Sequence, residues 1–281
     1  MKRKLLFLMT LCAMSVVQAQ NDVEMYGTGL IEDDEAISKI PRKPELLTRD
    51  YTVLPESYSL RKYCPRAGSQ GGYGTCAAWA TTYAARTIAE AVKWGWTDRQ
   101  VITDEAFSPS YIYALAKNST DTECKNGTTV TSVMNLLKAG GAPKQKNFHV
   151  ECAGKNVPRW LKDEAVDYTI DDYFVVFDKY CTSQDEKVRR VKKSLKEERP
   201  VIITMHIPSP SFHHVTDPWS GACPGDTLSY HAMCVVAYDN QKAGGSFQIM
   251  NSWGEKWGDQ GFLWVKYADF AKYVDNAFEL Y

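Results

Sequence analysis

A short stretch at residues 70–80, QGGYGTCAAWA, places one cysteine between a glycine-rich loop and a run of small residues that predicts a helix. Cys76 therefore stands where unpaired backbone N–H groups and the helix dipole stabilise a thiolate. The preceding glycines allow the backbone of a ligand to approach closely. A buried free thiol and one half of a disulfide are the structural alternatives, and a nucleophile would need a cationic partner and an orienting group.

The second half of the chain offers such a partner. Of the five histidines, only His231 opens an apolar run typical of a strand, SYHAMCVV. Asn251 follows twenty residues later, at the end of another such run, SFQIM. An amide oxygen accepts a hydrogen bond from an imidazole N–H and fixes the orientation of the ring. The order Gln70, Cys76, His231, Asn251 is therefore a more specific signal than any one of its members.

Three motifs around these residues resemble those of a known family. Gln70 is followed directly by glycine and precedes Cys76 by six residues, His231 stands in YHAM, and Asn251 begins NSWGEKWGDQGF. With these motifs the chain resembles the papain-like cysteine peptidases over residues 52–281. The resemblance implies a peptidase that needs no cofactor and acts on peptides or proteins.

The resemblance also implies a role for each residue of the set. Cys76 would attack the scissile carbonyl, and His231 would hold the thiolate as an ion pair and then protonate the leaving amine. Asn251 would orient His231. The side-chain amide of Gln70 and the backbone N–H of Cys76 would form the oxyanion hole. The expected reaction is peptide-bond hydrolysis through an acyl-enzyme, and the alternatives are a non-catalytic papain-like module that binds peptides or a protein, and a peptidyl-transfer variant.

Three substrate-binding residues follow from the same resemblance. Trp253 would cover the hydrogen bond of the histidine and exclude water from it. Asn126 and Gly127 fall near the glycine-rich strip that pairs with extended substrate, although both could equally be turn residues. The chain departs from the family at Tyr73, where a disulfide cysteine is usual, so the usual bridge cannot form there.

The elements that must position these residues follow from periodicity. Residues 77–93 lack Gly and Pro and predict a helix, Ser108 is a candidate N-cap for a second, and TTVTSVMNLLKAGG and DEKVRRVKKSLKEER predict two more. After Pro200 come short β-branched and aromatic runs, VIITM, AMCVVAY, SFQIM and FLWVKY, so the layout is α+β. The resemblance refines this to a papain-like two-lobed fold. It has a helical lobe, mainly residues 60–175, a β-barrel-like lobe, mainly residues 176–281, and an active-site cleft between them.

The N-terminal part of the chain predicts export. Residues 1–19 combine a basic start, MKRK, an apolar run and a small-residue cleavage site, as in a signal peptide. The run is too short to span a bilayer, so we expect no membrane span and a secreted, periplasmic or cell-surface protein. Residues 20–51 are charged and contain prolines, which predicts a pro-segment or extended arm before a catalytic domain at residues 52–281. Because about thirty residues are too few for a folded pro-domain, we expect the arm to cover the cleft at most in part, with weak or no latency.

The cysteine count leaves at least one thiol without a partner. Of eight cysteines, Cys12 leaves with the signal peptide, and seven is an odd number. We favour a disulfide between Cys124 and Cys152, because the intervening helix can fold them together. Cys234 lies inside an apolar run and is expected to be a small buried thiol, so either one of the remaining cysteines is free or Cys234 pairs after all.

Charge and histidine placement exclude other partner classes. The formal net charge of −1 gives no electrostatic footprint for nucleic acid. His213 and His214 are adjacent, and adjacent residues seldom converge on one ion, so we expect no metal site. We expect a monomer.

Overall fold

The computed structural model of the protein describes residues 26–44, 53–215, 217–219 and 221–281, so the predicted signal peptide lies outside the described residues. The main helices are α1 (Asp34–Lys39), α2 (residues 76–94), α3 (Arg99–Asp104), α4 (Pro109–Ala116), α5 (Val130–Gly140), α6 (Arg159–Ala165), α7 (Gln184–Lys196) and α8 (Tyr267–Tyr273). The strands are β1 (Ser57–Ser59), β2 (Tyr173–Phe177), β3 (Val201–Ser209), β4 (Thr227–Asp239), β5 (Ser246–Met250), β6 (Phe262–Lys266) and β7 (Val274–Leu280).

Helix α2 is the buried centre of the helical part. It begins as an α-helix at Cys76–Ala78, widens into a π-helix over Trp79–Arg86 and returns to an α-helix over Thr87–Trp94. Every residue of its first two parts is buried, and the many alanines let neighbouring elements approach the backbone closely. The helix ends at Gly95, whose left-handed backbone, φ 66°, suits a glycine C-cap.

The strands form one antiparallel sheet in the order β2-β7-β3-β4-β5-β6, with β1 added along β4. The four runs after Pro200 are all strands, as their composition predicts. In the β4–β5 hairpin, Cys234 lies opposite Met250. This register places His231 and Asn251 together at the open end of the hairpin, away from its turn.

The predicted helices are present, and capping residues lie at their ends. Ser108 caps α4 by accepting a hydrogen bond from the backbone N–H of Tyr111 over 3.1 Å. Helix α5 ends at Gly140, and α7 begins after its N-cap Ser183. The α+β class is therefore confirmed. Within the described ranges, none of the helices is both long and apolar enough to cross a membrane.

Candidate active site

Cys76 is the first residue of α2 and is fully buried. Its side chain lies beside the backbone N–H groups of Ala232 and Gly29. Since Ala232 follows His231 on β4, this contact brings the thiol to the backbone of the residue next to the histidine. Burial raises the pKa of the Cys76 thiol to about 11, and the backbone hydrogen bonds offset only part of that rise. In this arrangement the thiol is neutral at pH 7.

His231 is fully buried on β4 and is hydrogen-bonded to Asn251. Its Nε2–H donates to Asn251 Oδ1 over 2.8 Å, and the same oxygen accepts from the backbone N–H of Ser252 over 2.7 Å. Burial lowers the pKa of His231 to about 4; the bond to Asn251 opposes this effect, and the charge of His213 adds to it. Nδ1 of His231 has no hydrogen-bond partner within the described residues, so this nitrogen is available to accept a proton.

Gln70 connects the glycine-rich loop to the segment that follows β5. Its Nε2 donates to the carbonyl oxygens of Gly27 and Tyr73, over 3.0 Å and 2.7 Å. Its Oε1 accepts from Ser252 Oγ over 2.5 Å, and its backbone N–H donates to Ser252 O over 2.8 Å. Ser252 therefore fixes the amide so that its donor end points toward the segment containing Gly27.

Trp253 is almost fully buried against the histidine. The centroid of its ring lies 4.9 Å from that of His231. The indole also stacks on Tyr26 at 4.7 Å and 17°, and its Nε1–H donates to Gly27 O over 3.2 Å. It contributes to the apolar surroundings that desolvate the imidazole.

The predicted glycine-rich strip contacts the N-terminal segment through its backbone. Asn126 is exposed, whereas a Cβ added at Gly127, φ +78°, would lie 1.7 Å from Gly29 O. Thr128 makes the pairing: its N–H donates to Gly29 O over 3.1 Å, and its carbonyl accepts from Ile31 N over 3.1 Å. Sequence reasoning missed Thr128, whose only signal is its position next to the predicted strip.

Residues 26–31 pass over Gln70 and Cys76, so the N-terminal arm reaches the candidate centre, and the expectation of weak or no latency stays a prediction. Gly27 O accepts from Gln70, Gly29 lies against the thiol, and Leu30 forms a parallel bridge with Thr128. Two glycines, Gly27 and Gly29, keep this part of the arm narrow enough to enter the cleft. Its contacts are with backbone groups, which composition does not reveal.

His213 is a second residue near the site that sequence reasoning did not place there. Its ring centroid is 5.3 Å from that of Trp253 and 5.4 Å from that of Tyr26. Burial, aided by the charge of His214, lowers its pKa. In the described part of the chain, no group of three or more His, Cys, Asp or Glu stands close enough to hold a metal ion.

The disulfide between Cys124 and Cys152, with Cα atoms 5.6 Å apart, confirms the favoured pair. Cys234 is buried and unpaired, as its apolar run predicts. Neither alternative for the remaining thiols holds, because three further cysteines are unpaired: Cys64, Cys181 and Cys223. The bridge closes the loop that leads into Gly127 and Thr128 and thereby restrains the backbone that pairs with the N-terminal segment.

Known proteases resemble the chain in sequence and in fold. Germination-specific cysteine protease 1 of Arabidopsis thaliana is 26% identical over 196 residues, which are 69% of this chain and 46% of that protein, so the chain spans about half of that relative. Zingipain-2 of Zingiber officinale is 22% identical over 196 residues, 69% of this chain and 79% of that protein. The structure of xylellain, a cysteine protease from Xylella fastidiosa, shares the fold with a TM-score of 0.71 at 20% identity, over 92% of this chain and 96% of that one.

The sequence model of a protein family also matches most of the chain. Residues 54–274 match the family described as papain family cysteine protease. The matched region contains Gln70, Cys76, His231 and Asn251. With this match, and with the cysteine at a helix start beside a histidine held by an asparagine, the chain belongs to the papain family of cysteine proteases.

Proposed function

We propose that this chain is an exported cysteine peptidase in which Cys76 is the nucleophile and His231 the general base and acid. The observation that carries the proposal is the contact of the Cys76 side chain with the Ala232 N–H, directly beside a histidine whose Nε2 is bonded to Asn251. The contact supports the proposal because it sets the thiol beside the backbone of the residue that follows His231.

Proton transfer would run from the Cys76 thiol to Nδ1 of His231, which has no other partner among the described residues. Both groups are neutral while the site is desolvated, because burial raises the pKa of the thiol and lowers that of the imidazole. Water lets both groups return toward their ordinary pKa values, and bound substrate then favours the thiolate–imidazolium pair. Asn251 then keeps the ring oriented as it protonates the leaving amine.

Gln70 would stabilise the oxyanion that forms when the thiolate attacks. One N–H of its Nε2 donates to Tyr73 O over 2.7 Å, and the other already donates to a carbonyl oxygen of the arm, that of Gly27, over 3.0 Å. A substrate carbonyl in the same position would receive this donor together with the Cys76 backbone N–H. Each such donor lowers the barrier by about 3 to 4 kcal/mol. Water would then hydrolyse the acyl-enzyme.

Export is part of the proposal and is supported by the sequence of residues 1–19 and by the Cys124–Cys152 disulfide. Disulfides persist in oxidising compartments outside the cytosol. We further propose peptides or proteins as substrates, with Trp253, Asn126 and Gly127 near the bound chain. Oligomeric state and the expected lack of nucleic-acid binding stay predictions.

Labelling with a peptide epoxide and release of a fluorescent amide from a peptide library test the proposal. Both are measured with thiol reductant, on the full chain and on its Gly29→Ala variant, whose added methyl would lie 2.3 Å from Gly74 Cα and loosen the cover. Cys76→Ala should abolish labelling and lower hydrolysis by about 10⁴-fold or more. Cys223→Ala, which removes an exposed thiol, is the matched control and should behave as the parent chain.

Three outcomes separate the alternatives. Hydrolysis that survives Cys76→Ala would rule out the mechanism. Peptide binding without labelling or release, in both the full chain and its Gly29→Ala variant, indicates the non-catalytic module. Transfer of the acyl group to an added amine in preference to water indicates the peptidyl-transfer variant.

A further inference from the structure

The N-terminal arm has two parts with different kinds of contact. We call residues 26–31, which cross the catalytic centre, the plug, and residues 33–44, which pack behind it, the anchor. We propose that the active enzyme keeps the anchor as a permanent part of the fold and displaces only the plug. This inference rests on the function proposed above, and it concerns how the same site is opened.

The anchor extends the sheet and closes its edge. The backbone N–H of Lys43 donates to Val175 O over 2.9 Å, and the N–H of Val175 donates to Pro41 O over 3.0 Å. These bonds form one parallel bridge between Arg42 and Val175 on β2, the last strand on that side of the sheet order. Ile37 and Ile40 are buried against the domain. Loss of the anchor would uncover both apolar side chains and the unpaired edge of β2.

A buried ion pair ties the anchor to the domain. Glu279 on β7 is fully buried, and Lys43 Nζ lies 2.8 Å from its carboxylate and 2.6 Å from that of Glu197. Within the described residues, Lys43 is the only cationic group that reaches Glu279. Removal of one partner leaves an uncompensated buried charge, which is far more costly than loss of an exposed pair. The domain therefore needs Lys43 to complete its own interior.

The polar contacts of the plug are ones that water or substrate can replace. The plug carries no charged side chain: its sequence is YGTGLI. Its polar contacts join backbone groups to the cleft, such as Gly27 N to Gly71 O over 2.9 Å and Ile31 N to Thr128 O over 3.1 Å. When the plug leaves, these groups face an open cleft and can bond to solvent, so their desolvation cost is small.

The two parts join at an exposed point. Ile31 and Glu32 are both exposed, whereas Asp33 already belongs to the anchor as the N-cap of α1, accepting from Ala36 N over 3.1 Å. The carboxylate of Glu32 lies 3.9 Å from Lys179 Nζ, a solvent-exposed pair that contributes little. The chain can bend or be cut here without disturbing the anchor.

Matched variants of the full chain separate the two parts. Gly27→Ala would place a methyl 2.1 Å from Tyr73 O and so disturb the plug, whereas the methyl of Gly154→Ala would meet nothing within 4 Å. Lys43→Met removes the buried cation of the anchor, whereas Lys39→Met removes an exposed one that pairs with Glu35. Two readouts are taken for each variant: the rate of Cys76 alkylation by iodoacetamide, located by peptide mass mapping, and the melting temperature.

We expect opposite patterns. Gly27→Ala should accelerate Cys76 alkylation by about tenfold or more, equivalent to about 1.4 kcal/mol, and leave the melting temperature within about 2 °C of the parent chain. Lys43→Met should lower the melting temperature by about 6 °C or more and change alkylation under native conditions by less than about twofold. Both controls should match the parent chain.

The inference is wrong if Lys43→Met accelerates alkylation as much as Gly27→Ala does, because the arm then leaves as one body. It is equally wrong if Lys43→Met leaves the melting temperature unchanged. Alkylation and melting need no peptide hydrolysis. A plug that opens as expected in a chain that hydrolyses no peptide would therefore overturn the proposed function and leave the division of the arm intact.

Discussion

Cys76 and His231 are held on the two sides of the cleft by different kinds of structure. On the helical side, Cys76 is the first residue of α2, and its position depends on how a buried helix with a π-helical middle packs against its neighbours. On the sheet side, His231 and Asn251 stand near each other because an antiparallel ladder fixes the register of β4 and β5. The thiol is therefore positioned by side-chain packing and the histidine pair by backbone hydrogen bonds.

This difference predicts how each side fails. A change in packing on the helical side is shared among the many buried contacts of the helix and so mainly lowers the free energy of unfolding. A change at the hairpin end leaves the ladder in place and removes only the orientation of the imidazole. Substitutions on the sheet side should therefore affect turnover more than stability, and those on the helical side the reverse.

Among the changes that test this comparison, Asn251→Ala should have the largest effect on turnover. Loss of the Asn251 side chain removes Oδ1, the acceptor of two buried hydrogen bonds, from His231 Nε2–H and from the Ser252 backbone N–H. We expect kcat to fall by about tenfold to a hundredfold, because the imidazole loses the hydrogen bond that orients it, an interaction of about 1 to 3 kcal/mol. Steady-state kinetics with a fluorogenic peptide measures this, and Asn156→Ala, at an exposed position, is the control. An unchanged kcat would show that the ladder alone orients the imidazole.

An effect of intermediate size is expected from pH. The pKa of His231 is lowered from 6.5 to about 4 in the covered site. Between these values an uncovered imidazole binds a proton that the covered one does not, so acid favours displacement of the plug. The raised pKa of Cys76 acts likewise at alkaline pH, above its ordinary value of 9.0. The plug should therefore be most stable between about pH 6.5 and 9. At pH 5 it should be displaced about tenfold more often than within that range.

Amide hydrogen exchange tests the pH prediction. The Ile31 N–H, which bonds to Thr128 O in the plug, should exchange faster at pH 5 than the intrinsic pH dependence predicts. The Lys43 N–H, which bonds to Val175 O in the anchor, is the internal control and should show no such excess. A protection factor for Ile31 that stays constant from pH 5 to pH 7 contradicts the prediction.

The smallest effect on turnover is expected for Ala85→Leu. Ala85 is fully buried in the π-helical part of α2, and the added carbons must displace tightly packed neighbours. We expect a loss of about 1 to 3 kcal/mol in the free energy of unfolding and a change in kcat below about threefold. Urea unfolding and steady-state kinetics measure the two quantities. Ala89→Leu, at a half-buried position of the same helix, should be nearly neutral. A fall in kcat of more than about threefold with an unchanged free energy of unfolding would contradict the expected difference between the two sides.

Local sequence signals predicted much of this arrangement. Glycines before an alanine-rich run marked the start of α2, and the β-branched runs marked β3 to β6, so Cys76 and Asn251 could each be placed at the beginning or the end of an element. His231 was expected to open its strand but is the fifth residue of β4, because pairing with β3 extends that strand back to Thr227. The proximity of Cys76, His231 and Asn251, by contrast, followed only from a family resemblance. No pattern within the chain states which strand the helix start will face.

The remaining features depend on contacts between segments far apart in sequence. The course of residues 26–31 through the site depends on backbone bonds to Gly71 and Thr128. Such bonds need no particular side chain at either end, so composition predicted only a charged, proline-bearing arm. The π-helical stretch WATTYAAR likewise contains residues that suit an ordinary α-helix, and its widening reflects packing inside the domain.

The β4–β5 hairpin also gives the protein a place that can be lengthened without cost to the site. His231 lies eight residues before the end of β4 at Asp239, which at about 3.3 Å per residue is about 26 Å along the strand. In the turn beyond, Ala243 and Gly244 are exposed, and Gly244 has open space around it. A peptide tag or a small reporter domain inserted between these two residues would extend into solvent, while the ladder continued to hold the imidazole and its amide partner at the opposite end.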